Sequence, residues 1–279
     1  MIFCKTISDL KSILKDKRAS NSSIGFVPTM GALHQGHLSL IENARQKSDV
    51  VVCSIFVNPT QFNQASDLEN YPKPIETDLQ LLANIHCDIV FMPSVEEMYP
   101  DGFEKLNADK LGDITKLYEG SSRPGHFDGV YTVLMKLFDI VEPNMVFFGQ
   151  KDYQQCLLVK KIIAFHLLPI AFNMCDIMRE NDGLAMSSRN IRLNTHERKA
   201  AVKLSKALFY LKNNWLKMPE TALISDAKSM ITDDEILKLE YLECVDAETL
   251  LQNEAVKTKV CLLAVNCGGT RLIDNVLLP

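Results

Sequence analysis

The sequence predicts an α/β fold: a doubly wound parallel sheet followed by a smaller C-terminal α+β domain. Three observations carry this. Short β-branched and aromatic runs alternate with helix-length amphipathic segments through the first two thirds of the chain, the order of a parallel sheet with crossover helices. Those strand runs are apolar almost throughout, as strands covered on both faces must be. Beyond about Asn190 the order changes to helices and then strands, which suits a separate unit. The boundary is expected near residue 183, giving a first domain of residues 1–182 and a second of residues 183–279.

Each element has its own signal. Ile24 to Pro28 (IGFVP) is an apolar run closed by proline and reads as a buried strand. After a glycine-containing turn, HLSLIENARQK has helical spacing. DVVVCSIFVN is a second strand, Glu76 to Ile85 an amphipathic helix, and CDIVFMP a third strand. DGVYTVLMKLFDIV reads as a long apolar helix, core or subunit contact, and NMVFFG as a fourth strand. DYQQCLLVKKIIAFHL is a helix and PIAFNMCDI a fifth strand. The result is a Rossmann-like order. In the second domain THERKAAVKLSKALFYLKNNW and TALISDAKSMIT read as helices. LKLEYLECVDAETL, KVCLLAVNCGGT and RLIDNVLL read as strands joined by turns.

Composition sets the limits. The 279 residues are 47% hydrophobic and 23% charged, the balance of a globular protein with ample core. Thirty Lys and Arg against 35 Asp and Glu give a net charge of −5. That disfavours nucleic acid or an anionic membrane as partner. The N-terminus alternates charged and apolar residues and lacks a signal-peptide core, and no run suits a transmembrane helix. A cytoplasmic protein is expected. The eight cysteines are scattered, mostly within apolar runs, and read as buried thiols in a reducing compartment. No Cys/His pairs at short spacing suggest zinc.

The chemistry gathers at strand-to-helix turns, where such folds bind ligands. In PTMGALHQGHLSL, Gly31 and Gly36 flank His34 and His37 just before a helix. A helix N-terminus attracts phosphate, and two imidazoles add donors aimed at the same place. In FFGQKDYQQ, Lys151 stands at a helix start, against the dipole, which a bound anion would explain. Asp152 suits an N-cap or a ribose hydroxyl. In DGLAMSSRN, Ser187, Ser188 and Arg189 offer hydroxyl and guanidinium donors to a polyphosphate. His86, His166 and His196 read as structural or solvated. His126 in RPGHF could serve either the loop or the site.

Taken together, PTMGALHQGHLSL, SIFVNPTQF, EGSSRPGHFDGV, FGQKDYQQ and RENDGLAMSSRN, with YLECVDAETL and GTRLIDN further on, resemble the pantoate–β-alanine ligase family of the H-x-G-H nucleotidyltransferase superfamily. The resemblance spans nearly the whole chain. It implies an AMP-forming ligase that joins pantoate to β-alanine through a pantoyl adenylate, with ATP as co-substrate and Mg²⁺ as metal. It further implies a homodimer whose smaller domain closes over the active site. By this resemblance Met30, Gly31, Ala32, Leu33, His34, Gln35, Gly36 and His37 line the ATP site, with His37 the proton donor. Gly149, Gln150, Lys151, Asp152, Met178, Met186, Ser187, Ser188 and Arg189 complete it. His34, His37, Lys151, Ser187, Ser188 and Arg189 carry catalysis. Gln61 and Gln155 hold pantoate, and Gln61 also meets β-alanine. Neutral amides suit a polyol acid because they both donate and accept. Asn58, Tyr71, Glu119 and Arg123 stand around them, and Asp78 is the carboxylate nearest the magnesium, through water. Gln35, Lys73, Thr77 and Met178 depart from the family's usual residues. Two other functions fit the motifs less well: a different H-x-G-H adenylyltransferase that releases its adenylate, and a nucleotide sensor without turnover.

Overall fold

The structure is a computed structural model, described over residues 1–253, Val256 and residues 258–278. It divides into two compact units, one of residues 1–149 and 154–175, the other of residues 150–153 and 176–279.

The first unit is built on six parallel strands: β1 (Ile2–Cys4), β2 (Ile24–Thr29), β3 (Val50–Ile55), β4 (Ile89–Phe91), β5 (Met145–Gly149) and β6 (Ala171–Cys175). Their order across the sheet is β1-β4-β3-β2-β5-β6. From β2 the chain runs outward through β3 and β4, then returns to place β5 on the other side of β2, with Gly25 paired to Met145. The carboxyl ends of β2 and β5 therefore flank the switch point where doubly wound sheets bind ligands. All six residues of β3 are buried, as the unbroken apolar run required.

The five expected strands are present, and β1 is a sixth that the sequence did not announce. It is three residues long at the sheet edge, with Ile2 and Phe3 partly exposed. The charged stretch after it forms α1 (Ile7–Ala19), whose Leu10 and Leu14, four apart, are its buried residues. Then follow α2 (Gln35–Lys47), α3 (Ala65–Glu69), α4 (Ile75–Asn84), α5 (Val95–Met98), α6 (Tyr118–Ser122), α7 (His126–Val141) and α8 (Tyr153–Phe165). One core cluster joins Val27, Ile41, Val51, Leu82, Val90 and Phe147, so α2 and α4 are fixed on the sheet by burial. Helix α7 buries twelve of its sixteen residues, which makes it core.

Residues 92–125 carry only short helical turns, and Gln154 of α8 ties them down. Its Nε2 donates to the carbonyls of Ile114 and Leu117, and its Oε1 accepts the Glu119 amide at 3.0 Å. Gly129 in α7 permits another close approach. A Cβ there would lie 2.3 Å from the Thr60 carbonyl oxygen and 2.5 Å from the Gln61 nitrogen.

The second unit contains α9 (Thr195–Asn214), α10 (Glu220–Thr232) and an antiparallel sheet of β7 (Leu237–Asp246), β8 (Lys259–Cys267) and β9 (Thr270–Leu278). Helix α9 opens with a capping box in which Asn194 accepts the Glu197 amide and Glu197 accepts the Asn194 amide. β8 and β9 are joined through Gly268 and Gly269, both at positive φ, as a two-residue hairpin demands. Leu204, Leu208, Leu211, Ile231, Leu242 and Leu263 form its core. One sequence expectation is corrected here. Cys244 and Cys261 sit directly opposite on β7 and β8, with Cα atoms 4.1 Å apart, and are joined as a disulfide. The scattered spacing concealed this because strand register, not sequence distance, brings them together. Cys4, Cys53, Cys87, Cys156, Cys175 and Cys267 are buried thiols outside any disulfide, as expected.

Gly129→Ala is expected to destabilise the fold by about 1–3 kcal/mol, the usual cost of overpacking, read as a lower urea midpoint at unchanged slope. An unchanged midpoint would show that α7 and the 59–61 turn separate freely.

Candidate active site

The turn after β2 is shaped by where its amides go. Gly31 has φ 79° and Ala32 φ 50°, so the chain turns through two left-handed residues. Glycine is required at the first, because a Cβ would stand 3.0 Å from Asp78 Oδ2 and 3.1 Å from Ile55 Cγ2. The Gly31 amide donates to Thr29 Oγ1 at 3.2 Å. The Ala32 and Leu33 amides donate to the two oxygens of Asp78, at 2.8 and 2.7 Å.

The next amides go to the histidines. His34 is the N-cap of α2, and its Nδ1 accepts the Gly36 amide at 3.1 Å. His37 Nδ1 accepts the His34 amide at 3.3 Å, which completes a capping box made of imidazoles. A backbone N–H is an obligate donor, so each Nδ1 is the unprotonated nitrogen. Each neutral ring therefore carries its proton on Nε2. The ring centroids are 4.1 Å apart. The turn thus holds two Nε2–H donors side by side at a helix N-terminus, a set suited to an anion. Gln35, between them, is exposed.

Gln61 is oriented by a similar argument. Asn58 Oδ1 accepts the Thr60 amide at 3.4 Å, the Thr60 hydroxyl at 3.0 Å and the Tyr99 hydroxyl at 2.8 Å. Asn58 Nδ2 must then be the atom that donates to the Gly129 carbonyl and to Gln61 Oε1, both at 3.1 Å. That leaves Gln61 presenting Nε2, which lies 3.2 Å from Met30 Sδ, beside the histidine turn. His126 is buried and bonds the Gln61 carbonyl at 2.8 Å through Nδ1, while its Nε2 faces Arg123 Nη1 at 3.1 Å. This histidine therefore braces the Gln61 turn. His166 pairs with the Tyr131 hydroxyl, and His86 and His196 are exposed, as expected of structural or solvated residues. Tyr71 and Glu119 are buried, and Gln155 is half-buried on α8.

Asp78 does not fit the magnesium role expected of it. It is 1% exposed, in the first turn of α4, and both oxygens already accept amides. Burial raises its pKa, against the pull of the Leu33 and Ala32 amides. Among the described residues no group of three or more His, Cys, Asp or Glu is arranged to hold a metal ion.

In the second unit, β9 is the platform. Asn275 donates to the carbonyls of Gln150 and Lys151 at 2.9 and 3.0 Å and accepts from Gln150 Nε2 at 3.1 Å. Lys151 is thereby fixed at its backbone, and its Nζ stands 3.8 Å from Asp152. Asp274 is buried and pairs with both terminal nitrogens of Arg179, at 2.7 and 3.0 Å. Burial pushes its pKa up, while Arg179 and, more weakly, Lys151 draw it down. Arg179 anchors the hairpin that carries the other expected residues. The Met186 amide donates to the Met178 carbonyl at 2.9 Å, and Ser187 caps the turn 188–192 by accepting the Arg189 amide. Met186, Ser187, Ser188 and Arg189 are half-buried and Met178 is exposed. Asn58, Gln61 and the histidine turn meet in the first unit, while Lys151 and the serine–arginine turn are held in the second.

The sequence reading missed Thr29, Tyr99, Gln154, Asp274 and Asn275 as supports. A signal existed for the last two: Asp and Asn are poor strand formers, and inside the apolar run RLIDNVLL they mark a buried network.

The first unit thus sets an H-x-G-H turn at the switch point of a parallel α/β sheet. The family model described as pantoate–β-alanine ligase matches residues 2–277. The chain belongs to that family, and it is a ligase. It is 46% identical to the pantothenate synthetase of Acetivibrio thermocellus over 282 residues, covering 98% of each chain. It is 42% identical to that of Aquifex aeolicus, covering 97% of this chain and 96% of the other. The crystal structure of pantothenate synthetase from Thermus thermophilus superposes with a TM-score of 0.92 at 38% identity, covering 99% of both chains. That of pantoate–β-alanine ligase from Francisella tularensis, complexed with β-γ ATP and β-alanine, gives 0.83 at 37% identity, covering 99% of this chain and 97% of the other.

Asn58→Asp keeps the side chain's shape but turns its donor into an oxygen facing two oxygens. It is expected to cost about 1–3 kcal/mol in urea unfolding, the penalty for leaving buried acceptors unmet. Unchanged stability would show that the Asn58 amide is not held in this orientation.

Proposed function

We propose that the chain condenses pantoate with β-alanine to pantothenate, using ATP and passing through a pantoyl adenylate. In the first step a pantoate carboxylate oxygen attacks the α-phosphorus of ATP, and the bond to pyrophosphate breaks. In the second, the β-alanine amine attacks the acyl carbon, loses a proton, and AMP leaves. A carboxylate is a poor electrophile, and adenylation gives it a good leaving group.

The observation that carries this reading is the pair of imidazoles whose Nδ1 atoms accept backbone amides, in a chain of this family. Their Nε2–H groups suit the phosphates of ATP, where they would stabilise charge that grows during transfer. His37 is the proposed proton donor to the leaving group. Lys151, Ser187, Ser188 and Arg189 supply cationic and hydroxyl donors to the same nucleotide. Gly149, Gln150, Asp152, Met178 and Met186 line its adenosine and phosphates, as does the segment from Met30 to His37. Gln61 offers Nε2–H to an oxygen of pantoate and later to the β-alanine carboxylate, and Gln155 holds pantoate beside it. Water must be kept from the mixed anhydride. Magnesium would arrive bound to ATP and offset the charge of its phosphates. A cytoplasmic homodimer belongs to the same reading and rests on family resemblance. Among the described residues, no helix is long and apolar enough to cross a membrane.

Incubation with ATP, Mg²⁺, pantoate and β-alanine is expected to yield pantothenate and AMP in equal amounts by mass spectrometry. Pyrophosphate release at the same rate without β-alanine, with the adenylate itself free in solution and no AMP, would instead place the chain with adenylyltransferases that free their product. Lys151→Ala and His37→Ala are each expected to lower kcat by about 10²–10³, the usual loss of one transition-state charge partner. A near-normal rate in either variant would remove that residue from the catalytic set.

A further inference from the structure

We infer that Asp78 is the positioning residue of the H-x-G-H turn and acts through the backbone, not through a metal. The inference rests on the reading in which His34 and His37 meet the phosphates of ATP.

The geometry is specific. Two consecutive amides, Ala32 and Leu33, each find one oxygen of a single carboxylate, at 2.8 and 2.7 Å. A carboxylate is the side chain that offers two acceptors and no donor at that separation. The turn needs such a partner. Ala32 stands in the left-handed region at φ 50°, which costs about 1–2 kcal/mol for a residue with a Cβ. Ala32 and Leu33 are buried, so water is a poor alternative partner for their amides.

Asp78 is itself firmly placed. Its own amide donates to the Pro74 carbonyl at 2.9 Å, and its charge lies in the first turn of α4, where the helix dipole offsets part of the cost of burial. Gly31 packs against its Oδ2, where a Cβ would stand at a tight 3.0 Å. The carboxylate therefore decides where Leu33 ends. The next residue is His34, the N-cap whose ring and amide complete the imidazole capping box. A shift of the turn would swing both Nε2–H groups together. A metal ion, by contrast, would have to reach a side chain that is 1% exposed and share oxygens already accepting amides.

Asp78→Asn is isosteric and replaces one acceptor with a donor facing an amide N–H. It is expected to lower kcat about ten- to a hundredfold, the order of loss that a small misplacement brings, with the pantoate KM within about threefold. The magnesium concentration for half-maximal rate should not change, and the Ala32 and Leu33 amides should exchange with solvent faster than in the unaltered protein. A raised magnesium requirement, with kcat recovered at saturating magnesium, would overturn the inference by making Asp78 a metal ligand. Unchanged kcat and exchange would overturn it by showing that the turn holds itself. Should the variant not fold, exchange in the unaltered protein decides: these two amides, outside any strand or helix, must be protected, and open-loop rates would overturn the inference. Exchange needs no substrate. An unaltered protein that makes no pantothenate would therefore fail the functional reading while leaving this measurement to stand or fall alone.

Discussion

The turn between β2 and α2 must find acceptors for its backbone amides while it reverses direction through two left-handed residues. Everything at the site follows from how that demand is met. Thr29 takes the Gly31 amide, Asp78 those of Ala32 and Leu33, and the rings of His37 and His34 those of His34 and Gly36. The histidines are thus capping groups first. Because their Nδ1 atoms accept from obligate donors, the proton of each neutral ring sits on Nε2. One set of hydrogen bonds closes the helix and fixes the protonation pattern that an anion-binding site needs.

The second unit meets a like demand by other means. The Gln150 and Lys151 carbonyls are held by Asn275, and the hairpin leading to Met186 is held by Arg179 on Asp274. Neighbouring residues of one strand therefore brace two separate segments that bear the expected nucleotide-binding side chains. Rigid backbone supports of this kind reduce the reorganisation that transition-state stabilisation would otherwise cost.

Much of this was legible in the sequence, and the limits have physical reasons. The strands β2 to β5 were readable because burial leaves nearly continuous apolar runs, and α2, α4, α7 and α8 because they are long enough to show a helical period; β6 was readable from composition although it lies half-exposed at the sheet edge. β1 was not, because three residues at a sheet edge give no period to detect. His34, His37 and Gln61 were readable as residue types in a motif, but their orientation was not: that of the rings depends on which nearby amides they accept, and that of Gln61 on Asn58, whose amide is turned by distant partners such as Gly129 and Tyr99. The adjacent Gln154 and Gln155 look alike in sequence. Only the packing of α8 shows that Gln154 is engaged by the backbone of residues 114–119. Resemblance alone makes Asp78 an acid near a metal. The structure shows it satisfying amides, a role that no local pattern reveals because its partners lie more than forty residues away. The Cys244–Cys261 pair was hidden for the same reason, since register is a property of the folded sheet.

The central claim is that backbone amides fix both site histidines as Nε2–H tautomers. Long-range ¹H–¹⁵N correlation spectra of the imidazoles at neutral pH test it most directly. The account predicts that His34 and His37 both show a protonated Nε2 and a bare Nδ1. A proton on Nδ1 of either ring would contradict it.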